Sequence, residues 1–229
     1  MPVEGSVRER RRAETVREIK TAALQQLAEG GTGALSLRGV ARAVGMTVQS
    51  LYHYFDSRDE LLTELVTDAH HRLADAVQAA ADATRGRPPL DRRLAATGAY
   101  RSWALANRSA FLLIYGTPVP GFAPPPDAGT GPAALRLAAP FQDVVFDGWT
   151  ADQLAALPPP DGVRIDTADS RIPLPVGALA YFFELRGWMH GLVMLELLDH
   201  LHPFGPVAGD LYAAAMRRMS TEIDSRQLG

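Results

Sequence analysis

The chain has 229 residues, 47% of them hydrophobic, which suits one large helical domain or two small ones and excludes wholesale disorder. It has no cysteine, which excludes a disulfide framework and a thiolate metal site and fits a reducing compartment. The net charge of −3 is unevenly spread: up to Phe55, eight basic residues (Arg8, Arg10, Arg11, Arg12, Arg17, Lys20, Arg38 and Arg42) face five acidic ones, so a mildly basic front precedes an acidic body.

The arginine-rich start is not followed by an apolar stretch of signal-peptide length, and the longest apolar runs, such as 176–183, fall short of a membrane span. A soluble cytoplasmic protein with no membrane partner is expected. Ser6-Val-Arg-Glu9 has the form of a capping box and opens a helix with Val16, Ile19, Ala23 and Leu27 on one face. Gly30-Gly31-Thr32-Gly33 stops it. Short helices follow at about 36–44 and 48–55. Ser57-Arg-Asp-Glu60 is a second capping box. It starts a long helix carrying Leu61, Leu62, Leu65, Leu73 and Val77, which the Arg85-Gly-Arg-Pro-Pro89 run ends. One or two apolar helices are expected over 90–115, with a joint at Asn107, and then a Pro/Gly-rich loop over 117–132. A helix at 133–146 is interrupted near Asp147-Gly148 and restarted by Thr150-Ala-Asp-Gln153. Residues 158–175 read as a loop. The stretch 176–198 is apolar nearly all round, as a central or interface helix would be, and a last helix spans about 210–223. No strand-like alternation and no internal repeat appears, so the fold class is all-α.

The chemistry concentrates between Ser36 and Arg58. A helix-turn-helix needs a small residue at the helix crossing, a turn residue tolerant of positive φ and an apolar anchor on the second helix. Ala41, Gly45 and Leu51 fill these places, supported by Val40, Val44 and Met46. A side chain at the left-handed turn position costs about 1 kcal/mol or more, which makes Gly45 informative. Thr47 stands where the second helix needs its cap. With Leu51 inward, the opposite face presents Val48, Gln49, Ser50, Tyr52 and His53. Gln49 suits an adenine edge and Val48 a thymine methyl. Tyr52, Ser50, Thr47, Arg38 and Arg58 suit phosphate oxygens, contacts that set register without reading sequence. A short helical pair with a central glycine also occurs in proteins that never touch DNA.

The flanking residues add a resemblance. Leu35-Ser-Leu-Arg-Gly-Val-Ala41, Val44-Gly-Met-Thr47, Leu51-Tyr-His-Tyr-Phe55 and Ser57-Arg-Asp-Glu-Leu61 make residues 11–62 similar to the N-terminal domain of the TetR/AcrR family of bacterial regulators. That resemblance implies about nine or ten helices, a homodimer, double-stranded operator DNA as partner, and repression until a small-molecule effector releases the protein. It implies a DNA-binding domain at 1–56 and an effector-binding and dimerisation domain at 57–229. Carried onto this chain, the DNA contacts are Ser36 and Arg38, then Thr47, Val48, Gln49, Ser50, Tyr52, His53 and Tyr54, with Arg58 after them. Arg58 replaces the lysine usual in the family, and Gln49 stands where a small residue is more common.

Further on, Gly187-Trp-Met-His-Gly191, continuing to Leu197, resembles a Trp-x-His-Gly element of one subgroup of the family's effector domains, as does Tyr115-Gly-Thr-Pro-Val-Pro-Gly121. Apolar and aromatic residues with a polar handle among them are candidates for an effector pocket: Trp103, Phe111, Tyr115, Phe122 and Phe141, then Phe146, Tyr181, Trp188, His190 and Met194. The same residue types pack ordinary cores. The helices at about 176–199 and 210–223 are the expected dimer interface, where Gly177, Ala178, Gly187 and Gly191 permit close backbone approach.

A metal or enzyme reading has one foothold. Glu196 and His200 lie four apart, with Asp199 and His202 nearby. The pattern is not His-Glu-x-x-His, and histidines at the negative end of a helix dipole explain it more simply. His70-His71 reads as exposed helix surface. No phosphate loop, catalytic triad or nucleotide fingerprint occurs, so no catalytic residue, metal or cofactor is expected.

Overall fold

The computed structural model describes residues 6–31, 33–116, 119–124, 129–162 and 171–228. The expected loops at 117–132 and 158–175 therefore lie partly outside the described residues, as does Thr32. The described residues form helices and connecting turns with no strand among them, so the all-α class holds. In chain order the helices are α1 (Val7–Gly30), α2 (Leu37–Ala43), α3 (Val48–Leu51), α4 (Arg58–Ala83), α5 (Pro89–Ala106), α6 (Arg108–Tyr115), α7 (Thr130–Arg136), α8 (Ala138–Val145), α9 (Ala151–Ala156), α10 (Val176–Leu197) and α11 (Ala208–Leu228), with a 3-10 turn at His202–Val207.

Local chemistry explains most of these boundaries. Ser6 and Glu9 form the expected reciprocal capping box on α1, and Thr150 with Gln153 forms another on α9. At α4 only half of the box forms: Ser57 accepts from the Glu60 amide at 3.0 Å, while the Glu60 carboxylate reaches the Asp56 amide instead. The joint at Asn107 separates α5 from α6. The helix expected over 133–146 is broken at Leu137 into α7 and α8, because Pro140 has no amide for the Arg136 carbonyl and its ring crowds that oxygen.

The chain divides into two compact units, one of residues 1–70 and 107–131 and the other of 71–106 and 132–229. In the first, α1 packs on α2 and α6, and α2 on α3. Its core joins Ile19, Ala23 and Leu27 of α1 to Val40, Ala41, Leu51, Phe55, Leu61, Leu62 and Leu65, all buried. Lys20 of α1 reaches both Glu64 (3.0 Å) and Asp68 (2.7 Å), one turn apart on α4. Burial works against the Lys20 charge, but the hydrogen bonds to Asp68 and Glu64 outweigh it and hold the ammonium above its usual pKa. In the second unit α5 is central, packing against α8, α10 and α11. Arg93 on α5 is 1% exposed and hydrogen-bonds the Val144 carbonyl and Ser220. Tyr212 of α11 donates to the Thr97 carbonyl at 2.8 Å. Gly177 is buried where α10 meets the Leu157 carbonyl, which occupies the place a Cβ would take.

Candidate nucleic-acid interface

The turn between α2 and α3 is built as its residues dictate. Gly45 has φ 70°, the left-handed conformation that favours glycine. Its amide donates to the Arg42 carbonyl (3.3 Å) and the Met46 amide to the Ala41 carbonyl (2.9 Å), the paired bonds of a Schellman stop. Thr47 then accepts from the Ser50 amide at 3.1 Å and starts α3, and its hydroxyl is 2.9 Å from that of Ser50. Ser36 likewise caps α2 by accepting from the Gly39 amide.

The helix expected over 48–55 is α-helical only from Val48 to Leu51 and continues as tighter turns, with His53 bonding Ser50 and Tyr54 bonding Leu51 across three residues. Leu51 is fully buried and Phe55 nearly so, which fixes the rotation of this segment. Gln49, Tyr52 and His53 are exposed on the far side, with Thr47 beside them, and Ser36 and Arg38 are exposed on α2. Other candidates are less free. Val48 and Tyr54 pack in part against the core. Arg58 is half-buried, its Nε donating to the Leu35 carbonyl at 3.1 Å while Asp59 lies 3.5 Å from Nη1.

Two supports were not read from the sequence. Arg12 of α1 donates from Nη1 to the His53 carbonyl (3.2 Å), and its guanidinium stands 5.0 Å from the centre of the Tyr54 ring. Nothing in the spacing of α1 points to a partner 41 residues away. Gln26 accepts from the Ser36 amide (3.1 Å), and Gly39 leaves room for its side chain, which would lie 2.6 Å from a Cβ there. The close approach of α1 and α2 thus falls at Gly39.

The aromatic candidates divide between the units. Phe111, Tyr115 and Phe122 belong to the first, with Phe111 fully buried and Phe122 packed on the core of the helix-turn-helix. In the second, Phe141 is buried edge-on to Tyr100, and Phe146 contacts Trp149 and Phe182. His190 Nδ1 is 2.8 Å from the Tyr100 hydroxyl. Trp103 and Met194 are half-buried and Trp188 is exposed. Tyr181 is buried under the Arg226 guanidinium, 4.6 Å from its ring centre. Burial pushes its hydroxyl up to about 12, against the pull of Arg226.

His70 is a correction. It is 7% exposed and lies edge-on to Tyr115 with ring centres 5.8 Å apart, because it falls on the inward face of α4 with Leu62, Val66 and Leu73, whereas His71 is exposed. Glu196 is held by the Arg101 guanidinium through two hydrogen bonds. Among the described residues no group of three or more His, Asp or Glu is placed to hold a metal, and no helix is long and apolar enough to cross a membrane.

Comparison with known proteins agrees with this architecture. Residues 19–65 match the family described as bacterial regulatory proteins, tetR family, and residues 93–219 match the tetracyclin repressor-like C-terminal domain. An HTH-type transcriptional regulator of Mycobacterium tuberculosis is 43% identical over 124 residues, covering 54% of this chain and 53% of that protein. The chain thus spans about half the length of the curated relatives it matches. The crystal structure of SCO4313 superposes with a TM-score of 0.74 at 33% identity, covering 93% of this chain and 98% of the other. The TetR family transcriptional regulator PfmR from Thermus thermophilus shares the fold at 19% identity, with a TM-score of 0.58 and coverage of 90% and 96%. A capped helix-turn-helix, a helical C-terminal domain and these matches along most of its length lead to one conclusion: the chain belongs to the tetR family of bacterial regulatory proteins.

Proposed function

We propose that the protein is a sequence-specific DNA-binding transcription regulator of the bacterial cytoplasm, a homodimeric repressor that a small-molecule effector releases from its operator. The observation that carries this reading is the exposed face of α3 and the turn after it, Gln49, Tyr52 and His53, held outward by buried Leu51 and Phe55. A capped element that offers an amide and a phenol to solvent is suited to a major groove. Gln49 reads an adenine edge and Val48 meets a thymine methyl with its exposed part. Ser36, Arg38, Thr47, Ser50, Tyr52, His53, Tyr54 and Arg58 lie along the phosphates. Residues 1–56 act as the DNA-binding domain and 57–229 as the effector-binding and dimerisation domain.

The dimer reading rests on α10. Phe183, Gly187, Gly191 and Leu195 recur every fourth residue, and Phe183 and Leu195 are exposed. A Cβ at Gly187 or Gly191 would meet nothing within 4 Å of its own chain, so neither glycine is explained by packing inside the protomer. A second copy approaching across α10 and α11 explains both. Two recognition segments would then meet successive major-groove faces about 34–36 Å apart. Helix α4 contributes to both compact units, so an effector that prefers one setting of the C-terminal region can bias the DNA-reading end. A typical coupling of about 1–3 kcal/mol lowers DNA affinity roughly 5- to 150-fold. The candidates for effector contact remain the aromatic residues of the C-terminal region with His190 and Met194, Phe141 foremost because it lines a small, partly open cavity.

The test is selection of genomic DNA fragments by the purified protein, repeated with Gln49→Ala and Tyr52→Ala. The wild type should enrich a near-palindromic motif, Gln49→Ala should relax one base position, and Tyr52→Ala should weaken binding across sequences. No enriched motif, or one that neither change affects, overturns the reading.

A further inference from the structure

Helix α5 buries a guanidinium that its neighbours do not fully satisfy. Arg93 donates from Nε to the Val144 carbonyl (3.1 Å) and from Nη1 to the carbonyl and hydroxyl of Ser220 (3.3 and 2.8 Å), with Asp224 also at Nη1. Its Nη2 is buried with no hydrogen-bond partner among the described residues. The side chain lines a small, partly open cavity with Thr97, Phe141, Phe182, Met189 and Met219. As the helices stand, the cavity holds about 20 Å³, room for one water molecule.

Water suits this place poorly. A buried water needs acceptors for its own two protons as well as a donor, and the walls are almost wholly apolar. The Thr97 hydroxyl donates to the Arg93 carbonyl at 2.8 Å and its lone pairs can accept only one of the two water protons, the other lining side chains being apolar or cationic. A carboxylate, which only accepts, matches an orphaned guanidinium N–H far better. Arg186, half-buried on the same wall, stands beside Arg93, whose own charge Asp224 offsets in part. The enclosing side chains also suggest how the space enlarges: Met189 and Met219 are unbranched thioethers that change rotamer easily and leave apolar surface behind them.

We propose that this cavity is the closed form of a ligand site for a small organic acid, whose carboxylate bonds Arg93 Nη2 and whose apolar body displaces Met189 and Met219. This rests on the effector reading above and gives it a location and a chemical class.

The probes are benzoate and toluene, which share an aromatic body and differ in the carboxylate. Thermal unfolding of the full chain should rise saturably with benzoate and not with toluene, since a ligand specific to the folded state raises Tm with its concentration. Arg93→Lys, which keeps the charge without the fork, should lose the benzoate shift. Because that change also disturbs the Ser220 and Asp224 bonds, Met189→Ile provides an independent reading. It conserves volume but stiffens the wall, and should weaken benzoate binding about tenfold while helicity is retained. No saturable benzoate shift, an equal shift with toluene, or a shift unchanged in both variants overturns the proposal. Operator binding without probe is measured beside it: if that is intact and benzoate does not bind, this site is wrong and the regulator reading stands, and the converse separates the other failure.

Discussion

A residue outside the helix-turn-helix ties down the segment that follows α3. The segment after Leu51 mixes three-residue bonds at His53 and Tyr54 with a four-residue bond from Phe55 to Leu51 and forms no regular helix, so contacts from outside help to set its path. Arg12 supplies that hold through the His53 carbonyl and the Tyr54 ring. Arg12→Ala should lower operator affinity about tenfold while leaving the salt dependence of binding unchanged, because a positioning residue releases no counterions. A direct phosphate contact would instead cut the slope of log K against log salt by about 0.9. Titrations at several salt concentrations distinguish the two, and a reduced slope removes the positioning role. His190 gives the second test at this scale. Burial, and then the Arg186 charge, hold its imidazole below the usual 6.5. The unfolded chain therefore takes up this proton first, so the stability that His190 contributes is complete above about pH 6.5 and is lost as pH falls through it. Unfolding midpoints measured from pH 7.5 to 5 should fall more steeply for the wild type than for His190→Gln, and parallel curves would remove His190 as the cause.

At the scale of elements, packing between distant segments decides what local pattern leaves open. Gly177 is the clearest case, since its Cβ would be driven into the Leu157 carbonyl where α9 meets α10. Gly177→Ala should destabilise the protein by about 1–3 kcal/mol, read by chemical denaturation, despite the better helix propensity of alanine. A neutral or stabilising outcome shows that α9 gives way without loss. The sequence carried the features with local causes: Gly45 with its turn, the boxes at Ser6 and Thr150, and the 3.6-residue period of α1 and α4. It did not carry those whose partner is remote. The apolar helix expected from Leu90 gives no sign that Arg93 is buried, because Asp224 and Ser220, more than 120 residues away, come to meet it. His70 reads as surface until Tyr115 is placed against it. The break at Leu137 was legible in Pro140, whose missing amide forbids a straight run from α7 into α8.

For the whole molecule, the candidate operator contacts are few per chain. The ten candidates, of which only Ser36, Arg38, Thr47, Gln49, Tyr52 and His53 are exposed, are a small set for a specific complex, and two linked copies are the simple way to tighten it. Linking turns the second half-site encounter into an intramolecular one, a gain of about 10²- to 10⁴-fold when the geometry permits both contacts at once. The face that would link the copies is legible on α10, where Phe183 is 48% exposed and sits one turn before a glycine that its own protomer does not require. Phe183→Glu separates the role of this face in association from any role in folding. The side chain lies largely in solvent within a single chain, so a carboxylate there costs the isolated protomer little. Burial of two such charges against a symmetry-related copy is unfavourable unless they are paired. The variant should sediment as a monomer, keep the helical content of the wild type, and lose at least 100-fold in affinity for a two-half-site operator. Its weaker binding to a single half-site should be unchanged. A variant that stays dimeric with wild-type operator affinity would place the association surface elsewhere on the chain.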